Sequence, residues 1–320
     1  MTGPKAGLLD RRLVIVTGKG GTGKTTVAAA LAHGAAARGR RVLLAAVDPD
    51  ARLGGLLGAP RAKLTYTPVQ AGGVAFCHIE PFEALSEYLG LQLGTRRLVD
   101  PVIRQKAFQQ FLMAAPGWRD LITLGKVWHL EQMEEGRRPR YDLIVVDAPA
   151  TGHGLTFLDV PRVVVSAVRA GPLRQHTEAV ETLIGDRTRS VLLPVAIGEE
   201  LPARETIELV QRVHGELDIG LERVVVNAVH APPYPPAFEG LETTLAALPG
   251  DRDFGNLPSP GWLAECGALL RDRASLNARY VAEIADETEL PITELPYLPN
   301  GLRGPADLDT LSEALLGAPS

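Results

Sequence analysis

The segment GKGGTGKTT at residues 18–26 follows directly after the apolar run LVIVT at residues 13–17. An apolar strand, a glycine-rich turn ending in Gly-Lys-Thr and an alanine-rich helix form a phosphate-binding loop, or Walker A motif. Glycine-rich turns also join strands to helices without a ligand, but the complete motif after a strand favours phosphate binding. The predicted nucleotide-binding residues of this loop are Gly18, Gly20, Gly21, Thr22, Gly23, Lys24, Thr25 and Thr26.

The residue types in this loop match the chemistry of a bound nucleotide. The glycines allow successive backbone N–H groups to converge on phosphate oxygens at the positive end of the helix. Lys24 is predicted to reach the β- and γ-phosphates, and the Thr25 hydroxyl is predicted to bind Mg²⁺.

Six short apolar runs along the chain predict the strands of one sheet. Several are apolar throughout rather than alternating, which is typical of strands covered on both faces. Helical patterns lie between them, so the sequence predicts an α/β fold with a doubly wound, mainly parallel sheet. The predicted strands cover residues 13–17, 41–47, 74–80, 141–149, 190–197 and 223–229, and the predicted helices cover residues 24–38, 82–89, 173–184, 203–217 and 261–285.

The interval between residues 80 and 141 has no strand signal and is longer than a crossover needs. It is predicted to hold two or three helices at the edge of the sheet. These form a helical subdomain at about residues 82–138 within a single domain of residues 1–320. On the later helix at 203–217, Arg204, Glu205 and Glu208 are predicted to form a solvent-facing side.

Two acidic patches follow predicted strands, at the sheet edge where open α/β folds bind their ligands. Asp48-Pro49-Asp50 comes after one strand, and a carboxylate there can orient or deprotonate an attacking water; an ordinary acidic turn is the alternative. Asp147 follows the apolar run LIVV and fits the Walker B position. An aspartate at that position holds the coordination shell of Mg²⁺ through a water molecule. The residues after Asp147 predict a mobile loop that senses the γ-phosphate. His153 in this loop is a lone histidine, a kind of residue that is more often structural than functional.

Three segments together resemble the ArsA/GET family, which contains the arsenite-pump ATPase and the ATPase that delivers tail-anchored membrane proteins. They are GKGGTGKTT, VDPDARLG at 47–54 and DAPATGHGLTFLDVP at 147–161. VVVNAV and ELPYLPNGLRG extend the likeness, which spans residues 13 to about 304 in the family's order. DAPATGH is a small rearrangement of the family's switch sequence that keeps its Asp-to-His spacing.

The resemblance implies an ATPase that uses ATP/ADP and Mg²⁺. Lys19 is similar to the additional lysine of this deviant Walker A class, which implies a homodimer in which each subunit's lysine reaches the other's phosphates. A cation added there stabilises charge in transfer, as an arginine finger does. An exposed lysine without a catalytic role is the alternative. The implied catalytic residues are Lys19, Lys24 and Asp48, and Thr25 and Asp147 are implied at the metal.

The resemblance also implies a site for the base. Asn227 lies where the family contacts adenine, although an asparagine satisfied within the protein is the alternative. Pro299, with Tyr297 beside it, belongs to the segment that resembles the family's closure over the base.

Composition and cysteine usage exclude several classes of partner. The 33 Lys and Arg against 38 Asp and Glu give a net charge of −5, so nucleic acid is not an expected partner. No apolar run approaches the ~20 residues of a membrane-spanning helix, and no signal peptide is recognisable; the expected protein is cytoplasmic and not an integral membrane protein.

Cys77 and Cys266 cannot supply the clustered thiolates that arsenite, an iron–sulfur cluster or a CxxC zinc site needs. An arsenite-stimulated pump ATPase is therefore the least favoured function.

Residues 102–134 are amphipathic and offer a candidate surface for an apolar helix or a membrane-protein client. Core packing or dimer contact is the alternative, and only three methionines in the chain argue against an adaptable groove. The sequence thus predicts a homodimeric, Mg²⁺-dependent ATPase that switches a helical surface; a nucleotide-switched scaffold or positioning factor without an apolar client is the alternative. The candidate residues for the client surface in the segment 102–134 are Val102, Ile103, Phe108, Phe111, Leu112, Met113, Trp118, Leu121, Ile122, Leu124, Val127, Trp128, Leu130 and Met133.

Overall fold

A computed structural model describes residues 7–115, 117–150, 154–235, 238, 240–248 and 258–318. These residues contain the strands β1 (Leu13–Gly18), β2 (Val42–Ala46), β3 (Val69–Ala71), β4 (Val74–His78), β5 (Glu134–Glu135), β6 (Arg138–Pro139), β7 (Leu143–Ala150), β8 (Ser190–Ile197), β9 (Val224–Val229) and β10 (Ile292–Pro296). Eight of them form one sheet in the order β10-β9-β8-β1-β7-β2-β4-β3. Only β3 runs antiparallel to its neighbour in this sheet, and β5 pairs with β6 in a separate hairpin.

The helices of the described residues are α1 (Lys24–Ala37), α2 (Leu53–Leu56), α3 (Pro81–Leu93), α4 (Asp100–Ile103), α5 (Lys106–Met113), α6 (Trp118–Gln132), α7 (Gly154–Ala167), α8 (Pro172–Gly185), α9 (Glu200–Glu216), α10 (Leu241–Ala246), α11 (Pro260–Thr288) and α12 (Pro305–Leu316). They cover both faces of the sheet. None of them, within the residues described, is both long enough and apolar enough to cross a membrane.

The central strands are buried on both faces, as their unbroken apolar sequences predict. In β1, Val14 and Val16 join a cluster with α1 and α12, whereas Leu13 and Ile15 join a cluster with α6, α7 and α8. All four side chains are at most 1% exposed. Full burial of each such side chain contributes roughly 1.5–3 kcal/mol. The predicted doubly wound α/β fold is confirmed.

The interval predicted to be helical contains four helices, α3 to α6, rather than two or three. The helices of this interval were predicted at the edge of the sheet, but α6 packs on the face of the sheet. Leu124, Val127 and Leu130 of α6 are buried in the same cluster as Ile15 of the sheet. The sequence pattern shows an apolar side on this helix but does not show which surface covers that side.

Several elements have no strong signal in the sequence. The strand β10 reads ITELP, with a polar residue in its middle and a proline at its end, because it is an edge strand that pairs on one side only. The helix α7 contains Pro161, which argues against a helix on sequence grounds. Burial of Phe157 and Leu158 against the sheet accompanies this helix and offsets the cost of its proline.

Candidate functional site

The order of the strands gathers the predicted site at one edge of the sheet. β1 lies between β8 and β7, and β2 lies on the other side of β7. The register pairs Asp147 with Val16 of β1 and with Ala46 of β2. Asp147 therefore lies between the phosphate-binding loop and residues 48–50, at the carboxyl ends of parallel strands where open α/β sheets bind ligands.

The phosphate-binding loop closes on the main-chain carbonyl of Lys19. Thr22 donates its hydroxyl to this oxygen at 2.9 Å, and Lys24 donates from Nζ at 3.2 Å. Among the other predicted residues, Gly18 ends β1, Gly20 and Gly21 form an exposed turn, and Thr25 and Thr26 lie in the first turn of α1. The free N–H groups of that turn make a binding site for an anion.

Lys24 lies in a position where its charge has little water to stabilise it. Burial lowers the pKa of Lys24, and the negative charges of Asp147 and Asp48 act in the opposite direction. A partly buried ammonium at a helix N-terminus has a phosphate group as its natural counterion. The position of Lys24 therefore suits the predicted contact with the β- and γ-phosphates.

Asp147 and Thr25 meet beneath the loop. Thr25 Oγ1 donates to Asp147 Oδ2 at 2.6 Å, while Asp147 Oδ1 is buried without a hydrogen-bond partner among the residues described. Burial raises the pKa of Asp147 to about 6, partly offset by the Thr25 hydroxyl and the charge of Lys24. A buried oxygen left unpaired is costly, and hydroxyl and carboxylate oxygens are hard donors that Mg²⁺ prefers. The donor set therefore fits the predicted metal.

The two aspartates after β2 have different surroundings. Asp50 accepts hydrogen bonds from the Arg52 guanidinium, the shortest at 2.7 Å, and these hold the pKa of Asp50 below its usual value. Asp48 is exposed and makes no hydrogen bond or ion pair within the described part of the chain. Its charge nevertheless acts on Lys24. Of the two, only Asp48 has a carboxylate available to a water molecule near the loop.

Asn227 lies beside the loop near the carboxyl end of β9. Its Nδ2 donates to the main-chain oxygen of Thr22 at 2.9 Å. The loop therefore satisfies part of the hydrogen-bonding capacity of Asn227. This agrees with the alternative interpretation, in which Asn227 is an asparagine satisfied within the protein. The amide oxygen of Asn227 makes no hydrogen bond within the described residues, so it has room for a further partner. Contact with adenine stays a prediction.

Aromatic rings lie beyond Asn227 on the same edge. The His230 ring stacks on the Tyr297 ring, with centroids 4.1 Å apart and planes at 21°. The Tyr297 main-chain N–H donates to Val229 at 2.9 Å, which ties the segment after β10 to the end of β9. Pro299 is exposed two residues further on. His230 was not predicted, and its pairing with Tyr297 depends on two strands meeting that are distant in sequence.

Lys19 points away from its own loop. Its Nζ forms an ion pair with Glu205 of α9, in the same chain. Glu205 keeps 40% of its side chain exposed and lies with the exposed Arg204 and Glu208 on the predicted solvent-facing side, but its pairing with Lys19 was not predicted. The loop after Asp147 was predicted to sense the γ-phosphate, and Thr151, Gly152 and His153 of it lie outside the described residues.

Replacing Gly23 with alanine is expected to destabilise the loop by roughly 1–3 kcal/mol. Gly23 has a φ of +89°, and a Cβ there would lie 2.2 Å from Asn227 Nδ2. The side chain therefore strains the backbone and displaces Asn227 together. Thermal unfolding and nucleotide titration measure the two effects; Gly21→Ala, at the same φ but with no atom near its Cβ, is the control for strain alone. Equal losses of stability and of nucleotide affinity in Gly23→Ala and Gly21→Ala would contradict a role for the Asn227 contact.

Fold and site together define the class of this protein as a P-loop nucleotide hydrolase of doubly wound α/β architecture. The family described as anion-transporting ATPase matches residues 11–176. The chain is also 32% identical over 323 residues to ATPase BagA of Mycobacterium tuberculosis, an alignment that covers 94% of this chain and 91% of that one. It belongs to this family of ArsA/GET-type proteins and is an ATP-hydrolysing enzyme.

Two further relatives represent the branches that the sequence motifs resemble. An arsenical pump-driving ATPase of Acidiphilium multivorum is 27% identical over 328 residues, which cover 89% of this chain and 52% of the pump protein. ATPase GET3 of Malassezia globosa is 24% identical over 334 residues, which cover 93% of this chain and 89% of that one. The family prediction is confirmed, and ATP/ADP is the nucleotide that the family uses.

Proposed function

We propose that two copies of this chain form a homodimer that hydrolyses ATP with Mg²⁺ and thereby switches a helical surface for an apolar client. The main support is the unequal placement of two lysines in one phosphate-binding loop. Lys24 is held over its own loop, whereas Lys19 is directed to α9. Lys19 therefore does not serve the site of its own loop. In a homodimer, a second copy supplies another triphosphate for this lysine once it leaves Glu205.

Thr25 and Asp147 would hold the magnesium ion. When bound, Mg²⁺ neutralises charge on the phosphate oxygens during transfer. Thr25 would bind through its hydroxyl, and Asp147 would orient the surrounding water. The buried Oδ1 of Asp147, which has no partner within the described part of the chain, is the observation that favours this role.

The remaining chemistry belongs to three side chains. Asp48 orients the attacking water, since its carboxylate is exposed beside the loop and has no partner among the residues that the structure describes. Lys24 stabilises charge on the β- and γ-phosphates from its own subunit, and Lys19 does so from the partner subunit. Fixed cations placed where charge develops are a large source of rate enhancement.

α7 is the element proposed to link the nucleotide site to the helical surface. Asp147 is followed, after a short segment, by α7, whose Phe157 and Leu158 are buried in one cluster with Leu124 and Val127 of α6. In the proposed switch, loss of the γ-phosphate shifts α7, and α7 passes that shift to α6 through their shared cluster. Small shifts in packed helices are the usual means of such switching.

The helical surface carries an unusual number of exposed apolar side chains. Within α3 to α5 and their connections these are Leu91, Leu93, Leu98, Val102, Phe111 and Met113, which we call the apolar surface. Of the residues predicted for a client, Ile103, Leu124, Val127 and Leu130 are buried instead and belong to the core. Exposed apolar groups concentrated in one segment indicate an interaction site.

A cavity of about 310 Å³ lies next to this surface, between α3, α6 and α8. Leu91 belongs to both the cavity and the apolar surface. Leu121, Ile122 and Trp128 form much of its wall. A cavity of this size accepts a large apolar side chain projecting from a partner helix.

The client function is tested with an Asp48→Asn protein held on ATP and a fluorescent, 20-residue apolar helical peptide. We expect the peptide to bind the ATP form, and Leu98→Glu to weaken binding at least about tenfold, because a buried leucine contributes roughly 1.5–3 kcal/mol. Fluorescence anisotropy measures both. Leu269→Glu on α11 is the matched control, since Leu269 is 67% exposed and Leu98 is 70% exposed.

Equal affinities for the two variants would contradict the assignment of the apolar surface. If no apolar peptide binds Asp48→Asn on ATP while the parent protein hydrolyses ATP, a nucleotide-switched scaffold with soluble protein partners becomes the better explanation.

A further inference from the structure

The ion pair between Lys19 and Glu205 joins the entrance of the loop to α9. Lys19 Nζ contacts Glu205 Oε1, and the two side chains are 31% and 40% exposed. The strand β8 lies next to β1 and leads directly into α9, so Glu205 is held one turn into that helix, beside the loop that follows β1. Neighbouring strands therefore fix this contact, although 186 residues separate its partners.

Two carboxylates at the start of α9 are paired with other partners. Glu200 forms an ion pair with Arg204 at 2.9 Å, and Glu199 forms one with Arg273 at 3.6 Å. The main-chain carbonyl of Lys19 is held by Thr22 and Lys24. The side chain of Lys19 can therefore move without rebuilding the loop, and among the described residues Glu205 is the group that pairs with it.

We infer that Glu205 is a positioning residue for Lys19, which keeps the lysine on its own subunit until a partner subunit presents ATP. This inference rests on the proposed function, in which Lys19 serves the partner's triphosphate. One ammonium group cannot contact Glu205 and the partner's phosphates together. A triphosphate carries more negative charge than one carboxylate, so it takes the lysine when it arrives.

Each dimer that closes must break two of these pairs. Glu205 thereby raises the protein concentration at which active dimers form. While no partner is present, its carboxylate also neutralises the charge of Lys19, which belongs to the same loop as Lys24. Its effect falls on assembly rather than on the chemical step, because Glu205 does not touch the nucleotide of either subunit once Lys19 has left.

The experiment follows ATPase activity against protein concentration for Glu205→Gln, which removes the charge and keeps the shape. We expect the concentration for half-maximal specific activity to fall roughly three- to tenfold, since a partly exposed pair contributes up to about fivefold and two pairs are broken. The kcat at saturating protein should change less than about twofold. Glu205→Asp, which keeps the charge, and Glu208→Gln, an exposed neighbour on the same helix, should remain near the parent.

Two further variants separate this inference from the proposed function. In a Lys19→Ala background, Glu205→Gln should have no additional effect on the assembly concentration measured by sedimentation with ATP. If Lys19→Ala lowers activity but Glu205→Gln leaves the half-maximal concentration unchanged or raises it, Glu205 does not hold Lys19 back and the inference is wrong. If Lys19→Ala itself behaves like the parent, the proposed function fails first.

Discussion

Replacing Lys19 with alanine is expected to lower the kcat for ATP hydrolysis by about 10³-fold or more, because a cation supplied in trans to a transferring phosphoryl group contributes about 10³–10⁵ in rate. Binding of ATP should weaken much less. Lys24 and the N–H groups of the loop remain in place in this variant, and Lys24 is held through the Lys19 carbonyl, which alanine also provides. Steady-state kinetics at saturating protein and titration with a fluorescent nucleotide measure the two quantities.

The control for Lys19 is a mixture of two inactive proteins. In a dimer of one Lys19→Ala subunit and one Asp48→Asn subunit, one site has its own Asp48 and receives an intact Lys19 from the partner. An equimolar mixture should therefore recover about a quarter of the parent rate, since half of the dimers are mixed and each has one complete site. A rate no higher than the average of the separate variants would show that Lys19 does not act across subunits.

Replacing Asp48 with asparagine is expected to lower kcat by roughly 10²–10⁴-fold while ATP binding is kept. The substitution preserves shape but removes the carboxylate that we propose orients the attacking water, and general-base catalysis contributes a factor of this size. Asp48 makes no hydrogen bond in the described residues, so the loop should keep its structure without the charge. Single-turnover hydrolysis of bound ATP measures the effect directly.

Asp50→Asn is the matched control, because Asp50 is two residues away and is already paired with Arg52. We expect its rate to stay within about fivefold of the parent. If Asp50→Asn instead shows the larger loss, the catalytic carboxylate is Asp50, and the pair with Arg52 must open during catalysis.

The local parts of the site were predictable because their physics is local. A strand, a glycine turn and a helix N-terminus are adjacent in sequence, so residues 18–26 contain nearly everything that the phosphate-binding loop needs. Asp147 was predictable as well, since an acidic residue directly after an apolar strand must lie at the carboxyl end of that strand. The register that pairs Asp147 with Val16 is consistent with this reasoning.

Contacts between distant segments were not predictable in the same way. Glu205 reads as an ordinary solvated residue of an amphipathic helix, and only the adjacency of β8 and β1 brings it to Lys19. The stacking of His230 on Tyr297 and the burial of Leu124 against the sheet have the same origin. In each case the sequence states the character of a side chain but not which surface it meets.

The amino-acid sequence by itself determined the class of chemistry, the strand, glycine turn and helix of residues 13–37, and the doubly wound sheet. These features depend on spacing and periodicity over a few residues, and backbone geometry translates such patterns directly into structure. The tertiary structure alone decided where the second lysine points, which carboxylate is free, and which apolar side chains are exposed. Those properties depend on the order in which strands pair, and many orders bury the same apolar residues equally well.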